Sequence, residues 1–399
     1  GIIRRTVYFC ALLIFNISCI ERFEPQTEIF ESALIVEATI TNENKRQQIL
    51  LSRAFRLEED GPNPESSATV QVTDDQRNEY IFVEEAPGKY LSSEEFSALS
   101  GRSYSLSVVT SDGRSYSSEQ VILTPSAEIT ALSASREFNV DGEEGIAIRL
   151  NNEVSDADAR FFRYEYEETY KIIAPRWVEV DAVVIRERPP PAIIILEPKT
   201  REERVCYNTV VSNTVILGEN EGTAQNGLTR FSVRFIKRDN FIISHRYSIL
   251  VRQFVQSPKA FAFYETLNEF SSASENLFSQ IQPGFLNGNV LSDESSNEKV
   301  LGFFQVSSVA SQRLFFDYVD FFSGEALPPY AEDCELEFVP NLLPNALDGP
   351  SPLVQAVQSG RKYVSASGDS AAPFILVNPA CGNCNVLGSN LIPEFWTEE

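Results

Sequence analysis

The chain has 399 residues, 33 of them Lys or Arg and 57 Asp or Glu, for a formal charge of −24. So acidic a surface repels nucleic acid and anionic membrane faces and disfavours both as partners. A hydrophobic content of 43%, with 28 Phe and 14 Tyr, is ample for packed cores and excludes a disordered chain; the length exceeds what one core usually holds, so two or more domains are expected.

Gly1-Ile2-Ile3-Arg4-Arg5, the apolar run Val7 to Ile17 and then Ser18-Cys19 have the layout of a secretory signal. The run is shorter than the roughly 20 apolar residues a membrane-spanning helix needs, and Glu21, Arg22 and Glu24 follow closely. A cysteine behind a small residue at the end of such a run resembles the lipobox of bacterial lipoproteins, in which that thiol is diacylated. Asn16 stands where the lipobox usually carries Leu. We therefore expect a signal peptide over 1–18, a lipidated linker over 19–31 and lipidation at Cys19. The export signal removes Arg4 and Arg5 and no acid, so the mature chain is more acidic still.

From 32 to 125 short alternating runs are separated by turn residues, which predicts strands at Leu34 to Ile40, Gln48 to Ser52, Ala68 to Thr73 and Glu79 to Val83. Tyr104 to Val109, Asp112-Gly113 and Tyr116 to Leu123 read as a hairpin with a type I′ turn. This is the size of an immunoglobulin-like β-sandwich, with Pro125-Ser126 as its boundary. Strand patterning continues at Ile146 to Leu150, Phe161 to Glu167, Trp177 to Ile185 and Phe231 to Ile236, with Pro189-Pro190-Pro191 as a loop, making 126–399 a second β-rich domain. Ser257-Pro258 followed by Phe261, Phe263, Tyr264, Leu267 and Phe270 predicts one amphipathic helix near 257–270, capped by Ser257. Val300 to Ser307 and Arg313 to Val319 return to strand patterning, and Ala326 to Pro352 reads as a Pro-rich connection. The fold class expected is mainly β.

Chemistry is sparse. His245 is the one histidine, and the alternation of Ile242 to Ser248 makes it a strand residue rather than a catalytic base. Phosphate-binding glycine patterns and the HExxH and GxSxG signatures are absent. The oxygen-rich stretches Asp141 to Gly145 and Asp156 to Asp158 do not fit EF-hand spacing and read as solvated turns. With Cys10 in the signal and Cys19 lipidated, Cys206, Cys334, Cys381 and Cys384 remain. An even number in an exported chain suggests two disulfides, with three connectivities open. The competing zinc site at Cys381 and Cys384 lacks a full ligand set. A staple tying the C-terminal segment to the second domain is expected, since Asn, Gly and Pro dominate that segment and bury little surface. No catalytic residue, metal or cofactor is expected.

Several blocks together resemble one family, the Bacteroidota domain of unknown function 4249. They are Ser18-Cys19-Ile20-Glu21-Arg22-Phe23, Leu34 to Thr41, Leu51-Ser52-Arg53, Ala68-Thr69-Val70 through Asp74-Asp75, and Gly101 to Asp112-Gly113. Later come Arg246 to Gln253, Phe263-Tyr264, Asn287 to Val290, Leu301 to Phe304, Cys381 to Cys384, Gly388-Ser389-Asn390 and Pro393 to Trp396. The resemblance implies a lipid-anchored outer-membrane protein, often associated with TonB-dependent receptors, and supplies no catalytic residues. Glu21 and Glu24 resemble the acidic signal for export to the cell surface in this phylum. The function expected is a non-catalytic lipoprotein, cell-surface facing, that docks on an outer-membrane β-barrel complex, either a TonB-dependent transporter or assembly machinery. The alternatives are a carboxylate-based hydrolase and a glycan-binding surface module stacking sugars on Trp177 or Trp396.

Overall fold

The computed structural model describes residues 32–55, 61, 63–156, 158–187, 192–220, 227–271, 288–341 and 351–398. The expected signal peptide, the linker with Cys19 and the Pro189-Pro190-Pro191 loop lie outside the described residues. Over residues 34–122 apolar side chains recur at every second position, the period of a strand with one buried face. That pattern yields β1 (Leu34–Thr41), β2 (Gln48–Arg53), β3 (Asn63–Pro64), β4 (Thr69–Asp74), β5 (Glu79–Ala86), β6 (Lys89–Ser92), β7 (Ser103–Val109), β8 (Ser115–Ser118) and β9 (Val121–Ile122). Leu34, Val36, Ala38 and Ile40 of β1 share an interior with Val70 and Val72 of β4 and with Tyr104, Leu106 and Val108 of β7.

The mainly β class read from the sequence is the class observed. In place of two facing immunoglobulin-like sheets, however, the strands of 32–125 follow one hydrogen-bonded path, β8-β7-β4-β5-β6-β2-β1. The Asp112-Gly113 turn also differs from the type I′ expectation, which needs positive φ at both central residues. Gly113 has it, at 89°, and Asp112 does not. The Gly113 N–H donates to the Thr110 carbonyl and the Thr110 N–H to the Arg114 carbonyl, both at 2.9 Å. This is a three-residue loop closed by a left-handed glycine. Asp112 turns its carboxylate instead onto the Thr110 hydroxyl at 2.6 Å and the Arg114 guanidinium at 2.7 Å.

The chain continues through β10 (Ala127–Phe138), β11 (Glu144–Val154), β12 (Phe161–Ile173), β13 (Val180–Arg186), β14 (Ile193–Pro198), β15 (Val205–Val211), β16 (Ile216–Glu219), β17 (Phe231–Lys237) and β18 (Tyr247–Gln256). Helix α1 (Pro258–Ser271) and strands β19 (Val290–Ser292), β20 (Val300–Ser307) and β21 (Val309–Phe316) follow. β19 and β20 return to the first sheet. β20 runs parallel to β1 from Leu34↔Val300 to Thr41↔Ser307, and β19 runs antiparallel to β8. They are the two ends of the path β19-β8-β7-β4-β5-β6-β2-β1-β20. Asn289 hydrogen-bonds both backbone groups of Phe304 on β20, so the sheet closes into a near-complete barrel. Close approach requires glycine there: a Cβ on Gly302 would sit 2.0 Å from the Val36 carbonyl oxygen, and one on Gly288 1.8 Å from that of Gly302.

β20 has no alternation because both of its faces are covered. Val300, Phe304 and Val306 fill the barrel, while Leu301 and Phe303 meet Ala260, Phe263 and Leu267 of α1 on its outside. The Ser257 cap read from the sequence is in place, its hydroxyl accepting from the Ala260 N–H at 3.2 Å. Phe261, on another side of α1, lies 4.8 Å from the ring of Phe161 on β12. The helix thus wedges between barrel and second unit.

That second unit is built of two facing sheets, β10-β11-β17 and β15-β12-β18-β21, with β16 beside β12. Ile146, Ile148 and Leu150 of β11 pack on Phe162 and Tyr164 of β12 and on Tyr247, Ile249 and Val251 of β18. Barrel and sandwich are joined where three crossings meet. Thr124 Oγ1 donates to the Val255 carbonyl at 3.0 Å and accepts from the Ser308 N–H at 2.9 Å, and the Val255 N–H donates to the Ser308 carbonyl at 3.0 Å. Pro125-Ser126 lies in the first crossing.

The remaining chain forms α2 (Tyr318–Phe321), β22 (Glu337–Val339), α3 (Pro352–Gln358), β23 (Lys362–Ala366), β24 (Phe374–Val377) and α4 (Pro379–Gly382). The stretch Ala326 to Pro352 is therefore not connection throughout, since β22 joins the sheet β22-β24-β23. Two disulfides, Cys206–Cys384 and Cys334–Cys381, tie this lobe down. The tail ends on Trp396, which packs edge-on against Tyr207 and Phe315 at 4.9 and 5.8 Å.

Candidate interaction ribbon and the Glu37 crevice

β13 reads VDAVVIR and β14 IIILEP. Successive strand residues point to opposite faces, so unbroken apolar runs make both faces of this hairpin apolar. Among the described residues the strands pair only with each other, Ala182↔Leu196, Val183↔Ile195 and Val184↔Ile194. Ile185 is 57% exposed, Ile193 and Ile195 40% each and Leu196 39%. Nothing charged interrupts Ile193 to Leu196. An apolar strand edge of this kind is a ready template for pairing with another chain, and contiguous exposed apolar surface marks interaction sites.

The base of the ribbon is held by charge. Lys199 Nζ lies 2.8 Å from the Glu203 carboxylate and 3.6 Å from that of Asp181, which Lys362 approaches at 3.4 Å. Glu203 is fully buried. Burial would raise its carboxyl, but hydrogen bonds from Lys199 and Arg201 and the charges of Lys362 and Lys199 hold it below its usual range. The knot fixes the ribbon to the segment leading into β15, to β23 through Lys362 and, through Lys199 and the Gly382 carbonyl at 3.3 Å, to α4.

The structure pairs Cys206 of β15 with Cys384 and Cys334 with Cys381, so Cys381 and Cys384 belong to separate disulfides. Among the described residues no three of His, Cys, Asp and Glu converge as metal ligands. His245 is not in a strand. Asn240 caps a 3-10 turn, Phe241–Ile243, accepting from the Ile242 N–H at 3.2 Å, and β18 begins only at Tyr247. The imidazole is half-buried; burial lowers its pKa, Lys171 lowers it further and Asp317 opposes. Trp396 is 8% exposed and Trp177 packs against the sandwich core, so Trp396 offers no open face for sugar stacking. Of the stretch Asp141 to Gly145, Asp141 to Glu143 lies in the β10–β11 turn and Glu144 and Gly145 open β11; Asn139 accepts from the Asp141 and Glu143 N–H groups at 3.0 and 2.8 Å.

One titratable residue escaped the sequence reading. Even-numbered side chains of β1 fill the barrel, so Glu37 points outward, toward β12 and α1. It keeps solvent access with protein on most sides, and this desolvation pushes its carboxyl up to about 7, opposed by Arg163 and reinforced by Glu165. Arg163 is 9% exposed, stacked between the rings of Phe254 and Tyr264 at 4.5 and 4.7 Å, and ion-paired with Glu165. Glu37 sat in a plain alternating strand, and the groups that perturb it lie far along the chain.

The family model described as Domain of unknown function (DUF4249) matches residues 20–313. The chain belongs to this family. Within the DUF4249 match lie the barrel, the ribbon, the Glu37 crevice and all but the end of the sandwich. The blocks around Cys381 to Cys384 and Pro393 to Trp396, which also carried the resemblance, lie beyond it. A search of curated proteins returns no match.

Proposed function

We propose that this DUF4249 protein is a non-catalytic lipoprotein, anchored in the outer membrane through Cys19 and facing the cell surface, that docks on an outer-membrane β-barrel complex. The observation that carries the reading is the apolar ribbon β13–β14, rigid at its base and exposed along Ile193 to Leu196. Uncharged from Ile193 to Leu196 and open at its edge, it suits a protein partner rather than solvent. Among the described residues no helix is long and apolar enough to cross a membrane. The test is purification from membranes in mild detergent. Wild type is expected to bring down a TonB-dependent transporter or an assembly barrel, and Ile193→Asp with Ile195→Asp to lose it while remaining lipidated. Equal recovery by both proteins would reject the ribbon as the contact.

A carboxylate-based hydrolase is the second reading, favoured by the raised carboxyl of Glu37 beside Glu165. Hydrolysis of any member of a glycoside panel, abolished by Glu37→Gln, would support it. Turnover unchanged in Glu37→Gln would end it.

A further inference from the structure

The sandwich sets a sheet of three strands against one four strands wide. Phe231 of β17 stacks on Tyr164 of β12 with ring centroids 4.9 Å apart, and Arg234 of β17 meets Glu168 of β12 at 3.3 Å. β17 therefore lies over β12. Asn152 of β11 reaches Gln253 of β18 at 2.7 Å, and β10 packs over β21. No strand of the smaller sheet remains for β15. At one end of β15 the Cys206–Cys384 disulfide brings the C-terminal segment across. At the other, Asn208 and Val210 share a face with Tyr170 and Glu168, opposite them in the ladder, yet Val210 is 42% exposed. The result is a groove of about 380 Å³ lined by Glu168, Val210, Ile216, Val233, Arg234 and Phe235.

One wall of this groove is a free strand edge. Among the described residues β17 pairs only with β11, and the 2.9 Å bond from the Arg238 N–H to the Glu144 carbonyl fixes the alternation of its backbone groups. Phe235 and Lys237 consequently turn their N–H and C=O groups away from β11, toward the open side. At that lip stands Arg234, a half-buried cation on a molecule of net charge −24. Its contacts are long, 3.3 Å to both Glu168 oxygens and 3.4 Å to the Phe235 carbonyl, which leaves it able to donate a shorter charge-assisted bond to an incoming acceptor.

We propose that the groove between β17 and β15 accepts an extended peptide segment of a partner protein, added to β17 as a fourth strand, with apolar side chains on Val210 and Val233 and a carboxylate at Arg234. Main-chain bonds to β17 supply affinity, and the alternate side chains supply selectivity. The site is distinct from the ribbon and does not depend on the membrane reading.

The test pans a phage library of random heptapeptides against the mature chain and measures binding and amide exchange with the synthesised winner. Enriched sequences are expected to alternate apolar residues and carry one Asp or Glu, and the peptide to slow exchange at Phe235 and Lys237. Val210→Asp changes an exposed side chain and is expected to weaken binding at least about tenfold with the fold intact, by repelling the guest carboxylate. Arg234→Gln is expected to weaken the acidic peptide more than its Asn or Gln version. No enrichment, protection elsewhere than β17, or binding indifferent to Val210→Asp would each overturn the proposal.

Discussion

Asn289 gives Phe304 what a neighbouring strand would: its carboxamide donates to the Phe304 carbonyl at 2.8 Å and accepts from the Phe304 N–H at 2.7 Å. Asn289 is 5% exposed, so no water replaces it readily. Asn289→Ala is expected to leave both backbone groups unpaired and to destabilise the fold by about 2–4 kcal/mol. Chemical denaturation of the mature chain measures it, and a change within error would mean that the barrel seam closes without this side chain.

The raised carboxyl of Glu37 gives stability a pH dependence whose sign follows from the direction of the shift. Its folded carboxyl sits near 7, above the ordinary 4.5, so the folded state holds the proton more tightly than the unfolded one. The stability this contributes is complete below about 4.5 and is lost as pH rises through 7. Glu37→Gln is expected to flatten the melting temperature between pH 5 and pH 7 and to exceed wild type at pH 8. A mutant curve parallel to wild type across that range would contradict the assignment.

The two disulfides close loops of very different length, with sequence separations of 178 and 47. In the chain-entropy model these restrict the unfolded chain by about 5 and about 4 kcal/mol. Replacing Cys206 and Cys384 by Ser is expected to cost more stability than replacing Cys334 and Cys381, and to loosen the tail that carries Trp396. Non-reducing peptide mapping checks the pairing first; a Cys381–Cys384 peptide would refute it.

Anchoring is expected to rest on Cys19. Cys19→Ser should move the protein from the membrane to the soluble fraction, and protease treatment of intact cells should digest the wild-type protein if it faces outward. Retention of the mutant in membranes would mean that partner contacts alone hold it.

Much of the barrel was legible because its strands alternate cleanly and are closed by local turns: Leu34 to Thr41 and Thr69 to Asp74 were read almost to the residue. The Ser257-Pro258 start of α1 was equally plain. What stayed hidden is long-range. Nothing local in Val300 to Ser307 says that it pairs with β1 instead of the neighbouring β21, and β10, with the mixed run Ala127–Phe138, carries too few β-branched residues to announce a strand. The alternation of Ile242 to Ser248 misled because Asn240 caps a tight turn there. The ribbon was half-seen: Trp177 to Ile185 was read as strand, but Ile193 to Leu196, lacking alternation, gave no face to assign.

The ribbon is the centre of the functional account, and cross-linking from it in living cells is the most direct test. A photo-reactive residue placed at Ile195, 40% exposed, is expected on irradiation to yield one adduct with an outer-membrane β-barrel protein, and none from the same residue at Ile81 on the opposite unit. Adducts only with further copies of this chain or with soluble proteins, or equal yields from both positions, would contradict docking through the ribbon.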